Sequence, residues 1–138
     1  MSISDELKHE TQNLSVLYVE DENDTREQIS QILQLFFNKV FIAENGEEAL
    51  EIYKINDIDL LMTDLTMPKM DGLALIEKIR SINHNQHIVV LTAHNSSDNL
   101  MQTIDLQLDG FLLKPMKMDK MLKLLLKITH TINLEKNE

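Results

Sequence analysis

The chain has 138 residues, 43% of them hydrophobic and 26% charged, which suits one compact domain with an ordinary core and leaves little room for a second. It has no cysteine, which excludes disulfides, zinc-thiolate sites and thiol nucleophiles and makes the cytoplasm the expected location. A formal net charge of -10 repels phosphate backbones and anionic lipid, and no basic patch or membrane-length apolar run offsets it, so neither direct nucleic-acid binding nor membrane association is expected.

Residues 1–14 are polar and mixed in charge, without the apolar stretch of a signal peptide, and read as an N-terminal extension. Ser15 to Glu20 (SVLYVE) is a short apolar run rich in β-branched residues, suited to a strand buried on both faces. It ends in acid at Glu20, Asp21 and Glu22. From Asp24 the spacing turns helical, with Ile29, Ile32, Leu33 and Phe36 on one stripe and Asp24 and Glu27 placed as a capping box.

The alternation then repeats. A strand is expected over Lys39 to Ala43, a helix over Gly46 to Ile55, a strand over Asp59 to Asp64 and a helix over Gly72 to Ile82 capped by Asp71. Next come a strand over His87 to Thr92, a helix over Ser97 to Leu106, a strand over Gly110 to Leu113 and a helix over Met118 to Ile132. Five strands alternating with five helices predict right-handed crossovers and a parallel sheet covered on both faces, a doubly wound α/β domain over residues 15–134 with a tail at 135–138. The last helix carries more apolar residues than one sheet-facing stripe needs, which points either to deep packing or to a partner face.

In such sheets ligands sit outside the carboxyl ends of the strands. Those ends carry Glu20 and Asp21 after the first strand, Asp64 on the third, Thr92 on the fourth, and Lys114 followed by Pro115 after the fifth. Converging carboxylates repel one another at low dielectric unless a hard, oxygen-seeking cation neutralises them, and Mg²⁺ suits such a site because it takes few protein ligands. A carboxylate that attacks phosphorus also needs its incoming oxygens clamped, which a metal, a lysine and a hydroxyl supply.

The blocks VLYVEDE, LLMTDLTMPKMDG, VVLTAH and GFLLKP resemble the four signature blocks of response regulator receiver domains, from about Ser15 to the final helix. The resemblance implies a flavodoxin-like (βα)5 fold with strand order 2-1-3-4-5 and a signalling phosphoacceptor rather than an enzyme. By the same resemblance Asp64 is the phosphoacceptor, and Asp21, Asp64 and the backbone carbonyl of Thr66 bind Mg²⁺ (with Mn²⁺ able to substitute), while Glu20 acts mainly through a metal-bound water. Lys114 would pair with a phosphoryl oxygen, its bond to Pro115 resembles the family's cis peptide, Thr92 would donate its hydroxyl, and Phe111 matches the switch aromatic. Thr66 and His94 occupy positions that tune phosphoryl lifetime. The implied partners are a sensor histidine kinase or phosphotransfer protein and a downstream protein bound through the fourth helix, fifth strand and fifth helix, a face that also suits a homodimer.

The sequence departs from the family pattern at Gln107 and Leu108, which stand where a small Gly-Ala pair is common, leaving the fourth helix without a glycine cap. Phe111 lacks the hydroxyl of the commoner Tyr, so packing alone would drive its swing. Three other functions fit less of the pattern. A haloacid dehalogenase-like phosphatase needs a second acid two residues after its nucleophile, where Thr66 stands. A flavodoxin-like cofactor module would need a hydroxyl-rich loop after the first strand, which here reads EDENDT. A degenerate receiver acting by binding alone would not require every acceptor, metal, hydroxyl and lysine position to be filled.

Overall fold

The computed structural model describes residues 2–65, 67, 69–92 and 107–138. Its strands are β1 (Ser15–Val19), β2 (Lys39–Ala43), β3 (Leu60–Asp64), β4 (His87–Thr92) and β5 (Gly110–Leu113). They form one five-stranded sheet in the order β2-β1-β3-β4-β5, with every pairing parallel. The described helices are α1 (Ile3–Thr11), α2 (Asn23–Phe36), α3 (Gly46–Ile55), α4 (Gly72–Ile82) and α5 (Met118–Lys136). The helix expected over residues 97–106 lies outside the described residues.

Side chains alternate across a strand, so each central strand feeds two cores. Val16 and Tyr18 of β1, Leu60 and Met62 of β3, and Val89 and Leu91 of β4 pack with Ile29 and Leu33 of α2 and Met121, Leu125, Ile128 and Ile132 of α5. Leu17 and Val19, Leu61, and Ile88 and Val90 turn the other way, onto Ala49 and Tyr53 of α3 and Leu75, Ile76 and Ile79 of α4. Every residue of β1 and β3 is buried, as unbroken apolar runs require in a sheet covered on both faces.

The N-terminal extension carries α1, which packs onto the domain. Ser2 caps α1 by accepting from the Asp5 amide, and the helix buries Leu7 completely within the α2 and α5 core. The Thr11 hydroxyl donates to the Phe36 carbonyl at 2.7 Å, while Asn133 Nδ2 donates to the Glu10 carbonyl and carboxylate, each at 2.7 Å. His130 adds a contact to Glu10 at 3.2 Å. Part of the apolar surplus on α5 is taken up inside the molecule, where Leu122, Leu124 and Leu126 pack partly buried against this core. That helix also continues to Lys136, through the start of the expected tail.

The helix α2 begins one residue before Asp24, and its cap is Glu22, whose carboxylate accepts from the amides of Asp24 and Thr25. The expected capping box of Asp24 and Glu27 is thus replaced by a longer side chain reaching the same orphan amides. Asp71 caps α4 as expected, accepting from the Ala74 amide at 2.9 Å. At the departure before β5, Gln107 takes φ 56°, the left-handed region that favours glycine. Its carbonyl accepts from Arg80 Nη2 at 2.9 Å, which ties this strained residue to α4.

Candidate functional site

The parallel register brings the carboxyl ends of the strands level: Val19 pairs with Thr63, Asp64 with Leu91, and Thr92 with Leu113. Alternation continues past those ends. Glu20 follows Tyr18, Asp64 follows Met62 and Lys114 follows Leu112, so all three lie on the α2 and α5 side of the sheet. Thr92 has the opposite parity, following Ile88 and Val90.

Carboxylate oxygens of Glu20, Asp21 and Asp64 lie within 4.8 Å of one another, with Glu20 and Asp64 buried and Asp21 exposed. Lys114 Nζ donates to Glu20 Oε1 at 2.7 Å and to Asp64 Oδ2 at 2.8 Å. Burial opposes the charge on the ammonium, but its bonds to Asp64 and Glu20 outweigh that and hold its pKa above the usual lysine range. Burial pushes Glu20 from 4.5 up to about 7, aided by the Asp64 charge and resisted by the Lys114 hydrogen bond. An all-oxygen cluster with one fully buried acid matches what a small hard cation needs, and these residues fit Mg²⁺.

Two glycines hold the loop after β3 in place. The Gly72 amide donates to the Leu65 carbonyl at 2.9 Å, and a Cβ at Gly72 would stand 2.0 Å from the Asp64 carbonyl oxygen. The Gly46 amide donates to Met70 O at 3.0 Å, and a Cβ there would stand 2.4 Å from that same oxygen. Arg26, from the first turns of α2, donates to the Glu20 carbonyl at 3.0 Å and lies 3.5 Å from Glu44, fixing the loop that carries Asp21. None of these supports was read from the sequence. A Gly immediately after the capping Asp71 was the available signal for Gly72, but a close backbone approach leaves no residue pattern of its own.

The remaining expected site residues divide in two groups. Thr92 is buried at the end of β4 and its carbonyl accepts from the Lys114 amide at 2.8 Å, which joins β4 to the lysine. The Lys114-Pro115 peptide is cis. Phe111 is 55% exposed and stands beside exposed Leu113, so its ring is turned out from the core. Thr66 and His94 lie outside the described residues.

Residues 16–126 match the family model described as the response regulator receiver domain. This chain belongs to the response regulator receiver family. The domain is 34% identical over 100 residues to the chemotaxis protein CheY of Halobacterium salinarum, a match covering 72% of this chain and 83% of that protein. It is also 34% identical over 119 residues to a cyclic di-GMP phosphodiesterase of Thermotoga maritima, covering 86% of this chain but 31% of that protein. The chain spans about half the length of other curated relatives, such as the response regulator MprA of Mycobacterium ulcerans, where it covers 54% at 30% identity.

Among solved structures, the receiver domain of AraT from Geobacillus stearothermophilus superposes with a TM-score of 0.81 at 33% identity, covering 89% of this chain and 98% of that one. The N-terminal domain of an uncharacterized protein from Wolinella succinogenes gives 0.82 at 31% identity, with coverage of 89% and 98%. Receiver domains serve two-component signalling, and the five-stranded parallel sheet in the order 2-1-3-4-5 is their fold. No described helix is long and apolar enough to cross a membrane.

Proposed function

We propose that this receiver domain takes a phosphoryl group on Asp64 from a phosphohistidine of a sensor kinase or phosphotransfer protein. The observation that carries the reading is the Lys114 ammonium lodged between Asp64 and Glu20 within a three-carboxylate cluster at the strand ends. An Asp64 carboxylate oxygen attacks phosphorus in line, the bond from phosphorus to the histidine nitrogen breaks, and the electron pair returns to the imidazole, which takes up a proton. Later attack by water returns Asp64 to its carboxylate and releases inorganic phosphate.

Mg²⁺, when bound by Asp21 and Asp64 with Glu20 behind them, supplies the positive charge that lets an anionic nucleophile meet an anionic phosphoryl group. Lys114, already charged and within hydrogen-bond range of Asp64, is placed to follow the new phosphoryl oxygens. The Thr92 hydroxyl is assigned to another of those oxygens, and Pro115 keeps its assignment beside the lysine. Phosphorylation adds roughly 1.5 to 2 negative charges, and the change is read out through β5, with Phe111, and the N-terminal part of α5. Thr66 and His94 keep their assignment as lifetime-tuning positions. With acceptor, acids, hydroxyl and lysine all filled, a degenerate receiver is not favoured.

The test is incubation with acetyl phosphate, with and without Mg²⁺, followed by intact mass. A Mg²⁺-dependent gain of one phosphoryl group in the wild type, absent in Asp64→Ala, is expected. No gain under either condition would overturn the reading.

A further inference from the structure

The helices α1 and α5 end at the same edge of the sheet. α1 leads into β1, whose first residue, Ser15, donates its amide to Asp59 at 2.9 Å, and the same Asp59 carboxylate lies 2.9 Å from Lys136 at the end of α5. The two helices therefore run parallel, with Glu10 near the end of α1 beside His130 and Asn133 of α5. Between them lies a groove of about 490 Å³, bordered by Glu6 and His9 on one side and by Lys123, Leu126 and Lys127 on the other.

The two walls differ in charge. Glu10 is engaged by Asn133 and His130, so Glu6 and the exposed Asp5 are the outward acids of α1. On α5, Lys123 and Lys127 stand one turn apart, and exposed His130 and Leu134 continue the same face toward the end of the helix. Leu126 is only partly buried and adds apolar surface to the groove. A uniformly acidic partner would be repelled by α1 and a uniformly basic one by α5.

A second copy of this chain presents both rows in the required order. A twofold axis lying along the groove, parallel to both helices, sets α1 of each copy over α5 of the other at the same height. Asp5 and Glu6 of each copy then face Lys123 and Lys127 of the other, and Leu126 meets its own counterpart near the axis. The net charge of -10 opposes self-association, but this face sets two acids against two lysines, and at physiological ionic strength charges more than about 8 Å apart are largely screened. α1 has 9 residues and is about 14 Å long, which puts the contact at the small end of specific interfaces and makes the pairing weak.

We propose that the groove between α1 and α5 is a self-association face, through which two copies pair as a symmetric dimer. α1 precedes the residues that the family model matches, 16–126, so one wall of this face is supplied by the N-terminal extension. The face is separate from the exposed apolar residues of β5, and the inference stands apart from the phosphoryl chemistry at Asp64.

The experiment is sedimentation velocity of the full chain over a concentration series up to millimolar, on wild type, Glu6→Lys, Lys127→Glu and an equimolar mixture of the two variants, with circular dichroism to check that each is folded. Wild type is expected to dimerise reversibly, and each variant alone about tenfold more weakly, because both symmetric contacts become like-charged. Glu6→Lys lowers the net negative charge and is still expected to weaken the dimer, which general repulsion would not do. In the mixture, a heterodimer has every contact complementary again, so dimerisation should return to the wild-type level. Asp5→Lys takes the place of Glu6→Lys if that variant loses helix. A wild type that stays monomeric would overturn the proposal. So would a dimer that Lys127→Glu leaves unchanged, which would place self-association on another face, or a mixture of folded variants that shows no recovery.

Discussion

Glu20 is the residue on which the resting site turns. A buried acid whose pKa rises from 4.5 to about 7 holds its proton in the folded chain over a range where the unfolded chain has lost it. Between these values the folded state binds more protons, so the Glu20 contribution favours folding at low pH and is lost as pH rises from about 4.5 to 7. Without Mg²⁺, Glu20→Gln should therefore be more stable than wild type at pH 8, by about 1–3 kcal/mol, with the difference shrinking toward pH 4.5. Urea denaturation at several pH values measures it. At this scale the acids, Asp64, Thr92 and Lys114 were legible because each sits at the end of an apolar run, where a polar residue has no core to enter. Arg26 and Gly72 were not legible, since an arginine in a first turn and a glycine after a cap each have an ordinary structural use. Only the approach of Arg26 to the Glu20 carbonyl and of Gly72 to the Asp64 carbonyl distinguishes them.

At the scale of elements, the helices that pack against the sheet were visible through their apolar stripes, and those of α3 and α4 start and end where the spacing changes. The helix α1 was missed because it is short and polar, and the stripe of Ile3, Leu7 and Thr11 contains only two large apolar side chains. Its stability comes from docking, with Leu7 in the core and Glu10 bound by Asn133 and His130 of α5, rather than from a pattern visible in isolation. Leu7→Ala should cost about 2–4 kcal/mol of folding stability, as a buried leucine in a closely packed cluster does, and guanidinium denaturation will show it. A cost below about 0.5 kcal/mol would mean that α1 is detached in solution, where surface substitutions have effects of that size. The cap at Glu22 illustrates a second limit of pattern reading: three acids in a row offer several capping schemes, and the backbone angle after β1 chooses among them.

For the whole molecule, the site and the exposed apolar residues of β5 are joined by a short covalent and hydrogen-bonded route. Lys114 follows β5 directly and its amide donates to the Thr92 carbonyl, while Phe111, Leu113 and Met118 are exposed on the adjoining surface. A charge change at Asp64 that moves Lys114 would act on β5 directly and on Phe111 three residues away. Phosphorylation is expected to alter amide hydrogen exchange in residues 110–118 more than in α1 or the Thr11 end of the molecule, read by mass spectrometry. Uniform exchange before and after would place the output elsewhere. The parallel order of the sheet follows from the alternation of short apolar runs and helical stripes, but the choice of β1 as the strand beside both β2 and β3 came from the family resemblance, because periodicity carries no information about strand neighbours.

The central claim is that Asp64 carries the phosphoryl group. An acyl phosphate is reduced by borohydride where a free carboxylate is not, so treating the acetyl phosphate-reacted protein with borohydride and sequencing its peptides by mass spectrometry reads the modified position directly. Homoserine in place of Asp64, dependent on Mg²⁺ during phosphorylation, is the predicted result. Homoserine at Asp21 or at another aspartate, with Asp64 intact, would contradict the account.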